Sequence, residues 1–173
     1  DLGARGLLFP MVQNVAEAEA AVAATRYPPH GLRGVAGAVR ASQFGRTSDY
    51  FAKANDETCV IVQAETLSAI AQVTEIADVN GVDGVFFGPA DIAADMGMLG
   101  NHMSDAVWDV IRTAAKKLMD RDVPVGTLVT DPAFAAELLN DGFTFVACGL
   151  DTHILATGAD ALLARMRQAT KEK

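Results

Sequence analysis

Cysteine is nearly absent from this chain, with two in 173 residues, which excludes a small domain held together by disulfides. Cys59 and Cys148 each sit in an apolar run, Cys59-Val60-Ile61-Val62 and Phe145-Val146-Ala147-Cys148. They read as buried free thiols of a reducing, cytoplasmic compartment. Basic residues are outnumbered: 14 Lys and Arg face 22 Asp and Glu, a formal charge of −8. A surface that acidic repels phosphate backbones and anionic lipid, so the reading excludes nucleic acid and membrane as partners. No apolar run approaches the roughly 18 residues of a membrane span. The opening Asp1-Leu2-Gly3-Ala4-Arg5 is no signal peptide. It reads as the end of a helix already under way, without an initiator Met, so the expectation is a portion of a longer protein. Standard motifs for dinucleotides, phosphates, Ser-His-Asp hydrolysis and zinc proteolysis are missing as well: there is no G-x-G-x-x-G, Walker A, G-x-S-x-G or H-E-x-x-H.

What is present is apolar and regularly punctuated. Half the residues are hydrophobic, enough for one globular core, and nothing in the chain resembles a linker or a second domain. Near-continuous apolar runs at 7–12, 58–63, 84–87, 125–129 and 143–148 predict strands buried on both faces, as in parallel sheets. Helical patterns lie between them. Thr66 is placed to cap a helix with Leu67, Ile70, Val73 and Ile76 or Ala77 on its apolar stripe. Ser104 is placed to cap another, with Val107, Ile111, Ala114 and Leu118 at helical spacing. Asp131-Pro132 opens a third and Gly142 stops it. A last helix, over about 152–167, carries Leu155, Leu162, Leu163 and Met166, and the tail Lys171-Glu172-Lys173 is expected to fray. Five strand–helix repeats predict parallel strands with crossover helices. Both an open doubly wound sheet and part of a barrel satisfy that order; an eight-fold barrel takes about 250 residues. The longest irregular stretch runs over about 25–55.

Parallel α/β folds collect chemistry where strands end. Two carboxylates, Glu65 and Asp91, follow consecutive strands, and neighbouring strands are about 4.8 Å apart, so both side chains can reach one point. A hard divalent cation takes one or two carboxylates, keeps waters and leaves room for an oxygen-rich substrate. The competing reading is two acids offsetting helix dipoles. Gly88-Pro89-Ala90-Asp91 exposes backbone N–H groups at a helix start. Gln63 at a strand end is a substrate donor or edge packing. His30, His102 and His153 share no ligand spacing. In Arg26-Tyr27-Pro28-Pro29-His30-Gly31-Leu32-Arg33-Gly34 the two arginines either clamp an anion or brace the loop.

Taken together, Pro10-Met11-Val12-Gln13-Asn14, the Arg26 to Gly34 loop, Val62-Gln63-Ala64-Glu65, the run from Gly81 to Asp91, and Phe145-Val146-Ala147-Cys148-Gly149-Leu150-Asp151-Thr152 resemble the HpcH/HpaI aldolases, class II pyruvate aldolases such as 4-hydroxy-2-oxoheptanedioate aldolase and 2-dehydro-3-deoxyglucarate aldolase. The resemblance covers nearly the whole chain. It implies a (β/α)₈ TIM barrel of the phosphoenolpyruvate/pyruvate type, of which this chain supplies about the last five βα units. It implies a divalent metal (Mg²⁺, Mn²⁺ or Co²⁺) held by Glu65 and Asp91, with substrate contacts from Gln63 and from backbone at Ala90 and Asp91. Ala64 replaces the family's usual Ile, a change of packing. By the same resemblance Asp1 occupies the place of an Asp that assists the catalytic His. That His belongs to an E-H-x-x-[NQ] motif and the transition-state Arg to V-x-R-P; neither motif occurs here. The implied reaction is reversible cleavage of a 4-hydroxy-2-oxo acid into pyruvate and an aldehyde, in a homohexamer, a trimer of dimers with exchanged C-terminal helices. The alternatives are a citrate lyase β-subunit-like enzyme acting on CoA thioesters, or a non-catalytic truncated barrel that binds metal and 2-oxo acid.

Overall fold

In a computed structural model describing residues 1–171, five strands pair in parallel in the order β1 (Gly6–Phe9), β2 (Cys59–Ala64), β3 (Gly84–Phe87), β4 (Val125–Val129) and β5 (Phe145–Cys148). Each strand lies beside its predecessor, and the order never reverses. A doubly wound sheet reverses at its switch point, so the choice left open by the sequence falls to the barrel: this is five-eighths of a barrel wall. The connections are α1 (Val15–Thr25), α2 (Tyr50–Ala54), α3 (Leu67–Ala71), α4 (Val73–Ala77), α5 (Pro89–Asp95), α6 (Asp105–Met119), α7 (Pro132–Asn140) and, after β5, α8 (Asp151–Lys171).

Side chains alternate across a strand, and the register sorts them into two faces. Val60, Val62, Val85, Phe87 and Val125 are sealed against Ala18, Val73, Ile76, Ile92, Val107, Ile111 and Leu118 of the surrounding helices. Thr127 on the same face is fully buried, and its hydroxyl donates to the Phe87 carbonyl at 2.9 Å. The opposite face carries Cys59, Ile61, Gln63 and Leu128, all half-buried. Its best-covered part is the pair Phe86–Phe145, with ring centroids 6.0 Å apart. The Phe145 ring lies where a Cβ on Gly126 would stand, 2.2 Å from that position, so only glycine fits there.

Local punctuation explains most boundaries. Thr66 accepts from the Ala69 N–H and Asp131 from the Ala133 N–H, as N-caps do. Gly142, at φ +105, ends the turn after α7. Ser104 does stand at the N-cap of α6 but makes no capping bond; its Oγ is buried without a partner among the described residues. The single helix expected from Thr66 is two, because Gln72, at φ −113 and ψ 17, breaks the helical path. Within 25–55 a 3-10 turn, Arg40–Ser42, and α2 are the ordered pieces. The loop arginines are braces: Arg26 donates to the carbonyls of Thr58 and Gly81, and Arg33 lies 4.3 Å over the Tyr27 ring.

One expectation fails at the β5 edge. Cys59 is half-buried and Cys148 is exposed, both as free thiols. The buried Cys148 expected from its apolar run does not occur, because β5 is an edge strand with no element beyond it among the described residues and α8 does not cover it. Residues 151–170 are exposed throughout, including Ile154 and Leu155 at 65% and 75%. The expected fraying falls partly on residues 172 and 173, outside the described residues.

Candidate metal-binding site

The C-terminal ends of β2 and β3 converge on one carboxylate. Glu65, the residue after β2, is 5% exposed. Its Oε2 accepts the Met11 N–H at 2.8 Å and its Oε1 accepts Gln63 Nε2 at 2.7 Å. Burial raises its pKa, and the adjacent Asp91 carboxylate pushes the same way; the bonds from Met11 and Gln63 pull it down without cancelling the rise. The approach is close enough that a Cβ at Gly88 would stand 2.5 Å from Glu65 Oε1. Gly88 is therefore the residue that lets the β3 end pass the carboxylate.

Asp91 reaches the same point from the first turn of α5, which opens with Pro89. The first intrahelical bond of α5 runs from the Ile92 N–H to the Gly88 carbonyl, so the N–H groups of Ala90 and Asp91 precede the ladder and face outward from the helix start. Gln63, next to last in β2, lies beside Phe86 of β3. Neither Glu65 nor Asp91 has an ion-pair partner among the described residues. Two facing carboxylates, one almost fully buried, without a basic side chain between them form a charge pattern that a cation relieves. Each carboxylate oxygen of Glu65 accepts one hydrogen bond and retains a lone pair. The donor set is oxygen alone and numbers two carboxylates; no group of three or more His, Cys, Asp or Glu converges among the described residues. That set suits a hard cation completing its shell with water and substrate oxygens, and it does not suit zinc.

Sequence reasoning thus brings Gln63, Glu65, Ala90 and Asp91 to one place. It does not bring Asp1 there. Asp1 precedes β1 at the opposite end of the sheet, where it lies 3.6 Å from Arg33, separated from the Met11 end by the length of the strand, about 13 Å at ~3.3 Å per residue. His30 lies in the loop after α1, and His102 in the α5–α6 connection beside Ala90 and Thr130. Met11 and Gly88 were not singled out as holding the carboxylate. Gly88 had a signal in its Gly-Pro step; a backbone N–H donated from a left-handed Met has none.

Comparison with known proteins bears on this geometry. The model of the family described as HpcH/HpaI aldolase/citrate lyase matches residues 1–158. The chain is 51% identical over 166 residues to a 4-hydroxy-2-oxo-heptane-1,7-dioate aldolase of Salmonella arizonae, covering 95% of this chain and 63% of that protein. It is 50% identical, with the same coverage, to the aldolase of that name from Salmonella typhi. Among solved structures, an HpcH/HpaI aldolase/citrate lyase family protein from Burkholderia cenocepacia superposes with a TM-score of 0.89 at 37% identity, over 95% of this chain and 66% of that one. An HpcH/HpaI aldolase from Desulfitobacterium hafniense gives 0.84 at 26% identity, over 95% and 64%. The chain spans 63% of the length of these curated relatives.

Proposed function

Because the chain belongs to the HpcH/HpaI aldolase/citrate lyase family, we propose that it is the metal-holding part of a class II aldolase that reversibly cleaves a 4-hydroxy-2-oxo acid into pyruvate and an aldehyde. The observation that carries the reading is the buried Glu65 carboxylate facing Asp91 with no basic partner. Glu65 and Asp91 would hold one divalent cation, Mg²⁺, Mn²⁺ or Co²⁺, which supplies Lewis-acid polarisation of the 2-oxo acid when bound. Gln63, anchored through Nε2 to Glu65, keeps its carbonyl oxygen and second N–H for the substrate's oxygen groups. The free N–H groups of Ala90 and Asp91 suit the substrate carboxylate. General acid–base work and charge stabilisation at the aldol oxygen fall to the His and Arg of the family's E-H-x-x-[NQ] and V-x-R-P motifs, which this chain does not contain. High identity to proteins named as 4-hydroxy-2-oxo-heptane-1,7-dioate aldolases favours this over the citrate-lyase-like alternative.

The same reading includes a cytoplasmic homo-oligomer, a hexamer built as a trimer of dimers. Leu155, Leu162 and Met166 of α8 are 75%, 60% and 56% exposed, a stripe that an exchanged helix would bury on a neighbouring copy. Light scattering at micromolar concentration is expected to give an assembly; a clean monomer counts against it.

The decisive experiment is a Mn²⁺ titration followed by the electron paramagnetic resonance signal of the free ion. Saturable binding of one ion per chain is expected, and the double variant Glu65→Gln with Asp91→Asn is expected to abolish it. Equal affinity in the double variant overturns the reading.

A further inference from the structure

Met11 is not a ligand, and its side chain is 45% exposed, yet its backbone stands at φ +57. That left-handed conformation is unusual for a residue with a Cβ and is sustained only where surrounding structure holds it. Its consequence is specific. Reversing the chain at Met11, just beyond β1, aims two successive N–H groups at the end of β2: Met11 donates to Glu65 Oε2 at 2.8 Å and Val12 donates to the Gln63 carbonyl at 3.1 Å. The second bond extends the β1–β2 pairing past Phe9↔Val62, and the first fixes one oxygen of the carboxylate that faces Asp91. Gln63 Nε2 fixes the other. The carboxylate is thereby held from two sides, and the side opposite β1 is closed by Gly88.

We propose that Met11 is a positioning residue for the metal site: its strained backbone, and not its side chain, orients Glu65 toward the cation. The inference rests on the proposed role of Glu65 and goes beyond it, since no ligand is added. Groups that orient a ligand govern affinity nearly as the ligand itself does. The side chain that best tolerates positive φ is therefore expected to preserve the site, whatever its size.

The test sets backbone against side chain. Met11→Gly keeps the N–H and removes both strain and side chain; Met11→Ile keeps an apolar side chain of similar size but penalises the left-handed conformation. Mn²⁺ affinity is expected to stay within about twofold in the glycine variant and to fall roughly 10- to 100-fold in the isoleucine variant, the range for lost ligand orientation. Met11→Asn, tolerant of positive φ, should follow glycine, and so should Met11→Ala, which removes the side chain at a left-handed cost like methionine's; Met11→Val, β-branched but smaller than isoleucine, keeps the series readable should Met11→Ile fail to fold. Equal weakening by glycine and isoleucine makes the side chain responsible and overturns the proposal, as does weakening by Met11→Ala as large as isoleucine's, or full affinity in folded Met11→Ile or Met11→Val. A second readout needs no metal: the Met11 amide proton, bonded to a carboxylate, is expected at low field by NMR and to move upfield in Glu65→Ala. An unmoved amide overturns the clamp. Absence of Mn²⁺ binding in the unsubstituted chain instead overturns the metal reading, with the amide shift still deciding the clamp.

Discussion

One sheet here presents two faces of different completeness. The helix-side residues Val60, Val62, Val85, Phe87 and Val125 are fully buried, while Ile61, Gln63 and Leu128 on the other side are half-buried. The helix side is a finished hydrophobic core whose partners lie close in sequence, with α1 packing on β2, α6 on β4, and α7 on β4 and β5. The inner side of a barrel is built by all its strands at once, and this chain supplies five. Stability and chemistry are thereby separated in space: substitutions on the outer face should change unfolding, and substitutions at the inner rim should change binding and turnover.

The largest effect expected tests the inner face. The 173-residue chain should turn over 4-hydroxy-2-oxo acids at least about 10⁴-fold more slowly than an aldolase with the complete site, since acid–base groups contribute ~10²–10⁴-fold and one oxyanion donor ~10²–10³-fold, without strict additivity. Solvent deuterium exchange into pyruvate tests the metal-dependent step alone and is expected to be better retained. A coupled assay of pyruvate release from a chain verified by mass measures the first; near-normal turnover would overturn the assignment of proton transfer to the His and Arg of the two missing motifs.

On the outer face, Phe87→Ala is expected to cost about 3–5 kcal/mol in urea unfolding, because a fully buried ring leaves a cavity among neighbours that cannot collapse. Leu8→Ala on the inner face, at a position 45% exposed, is expected to cost less than about 1 kcal/mol. Similar losses in the two would erase the distinction between faces.

How much of this was legible follows from what is local. β3 and β4 were bounded correctly because their apolar runs end at Gly-Pro and Thr-Asp steps, and Thr66 and Asp131 announced their caps. Glu65 and Asp91 were legible because a strand end is a place in a repeat and can be counted. Sheet order was not: barrel and doubly wound sheet share one alternation of elements and differ in which strands become neighbours. The break at Gln72 was missed since Val73 and Ile76 keep the helical stripe across it. Cys148 was misjudged because an apolar run reports what a strand is suited to bury, and no element covers this edge among the described residues. Asp1 was assigned by resemblance, while its place ahead of β1 sets it at the start of the strand beside Arg33, away from the end where Met11 meets Glu65. The Met11 donor was invisible because it is a backbone group in a conformation no side chain advertises.

A smaller effect separates the two faces at a single residue. Without metal, Glu65→Gln is expected to change unfolding free energy by less than about 1 kcal/mol or to stabilise, since it removes a buried charge lacking a basic partner while an amide oxygen still accepts from Met11. With Mn²⁺ at 100 times its dissociation constant, the unsubstituted chain should gain about 2.7 kcal/mol, and the variant should gain nothing. Thermal unfolding with and without Mn²⁺ checks both; equal gains would place the cation elsewhere.

The smallest effect is one of pH, and its sign discriminates. Burial and Asp91 raise the Glu65 pKa above the ordinary glutamate range, so between the unfolded value, about 4.3, and the raised folded value the native chain binds more protons than the unfolded chain. Metal-free stability should therefore fall as pH rises through that window. Metal affinity should move the other way, because the cation must displace the same proton, so Mn²⁺ binds more tightly as pH climbs through the folded pKa. Two opposed slopes in one window are expected of a carboxyl that is strained when ionised alone and relieved when it holds a cation. A carboxylate serving only to offset the α5 dipole gives neither: its pKa is lowered, and its stability is lost as pH falls. Urea unfolding in chelator and Mn²⁺ titration, each repeated across the window, measure the two slopes, and both are expected to vanish in Glu65→Gln.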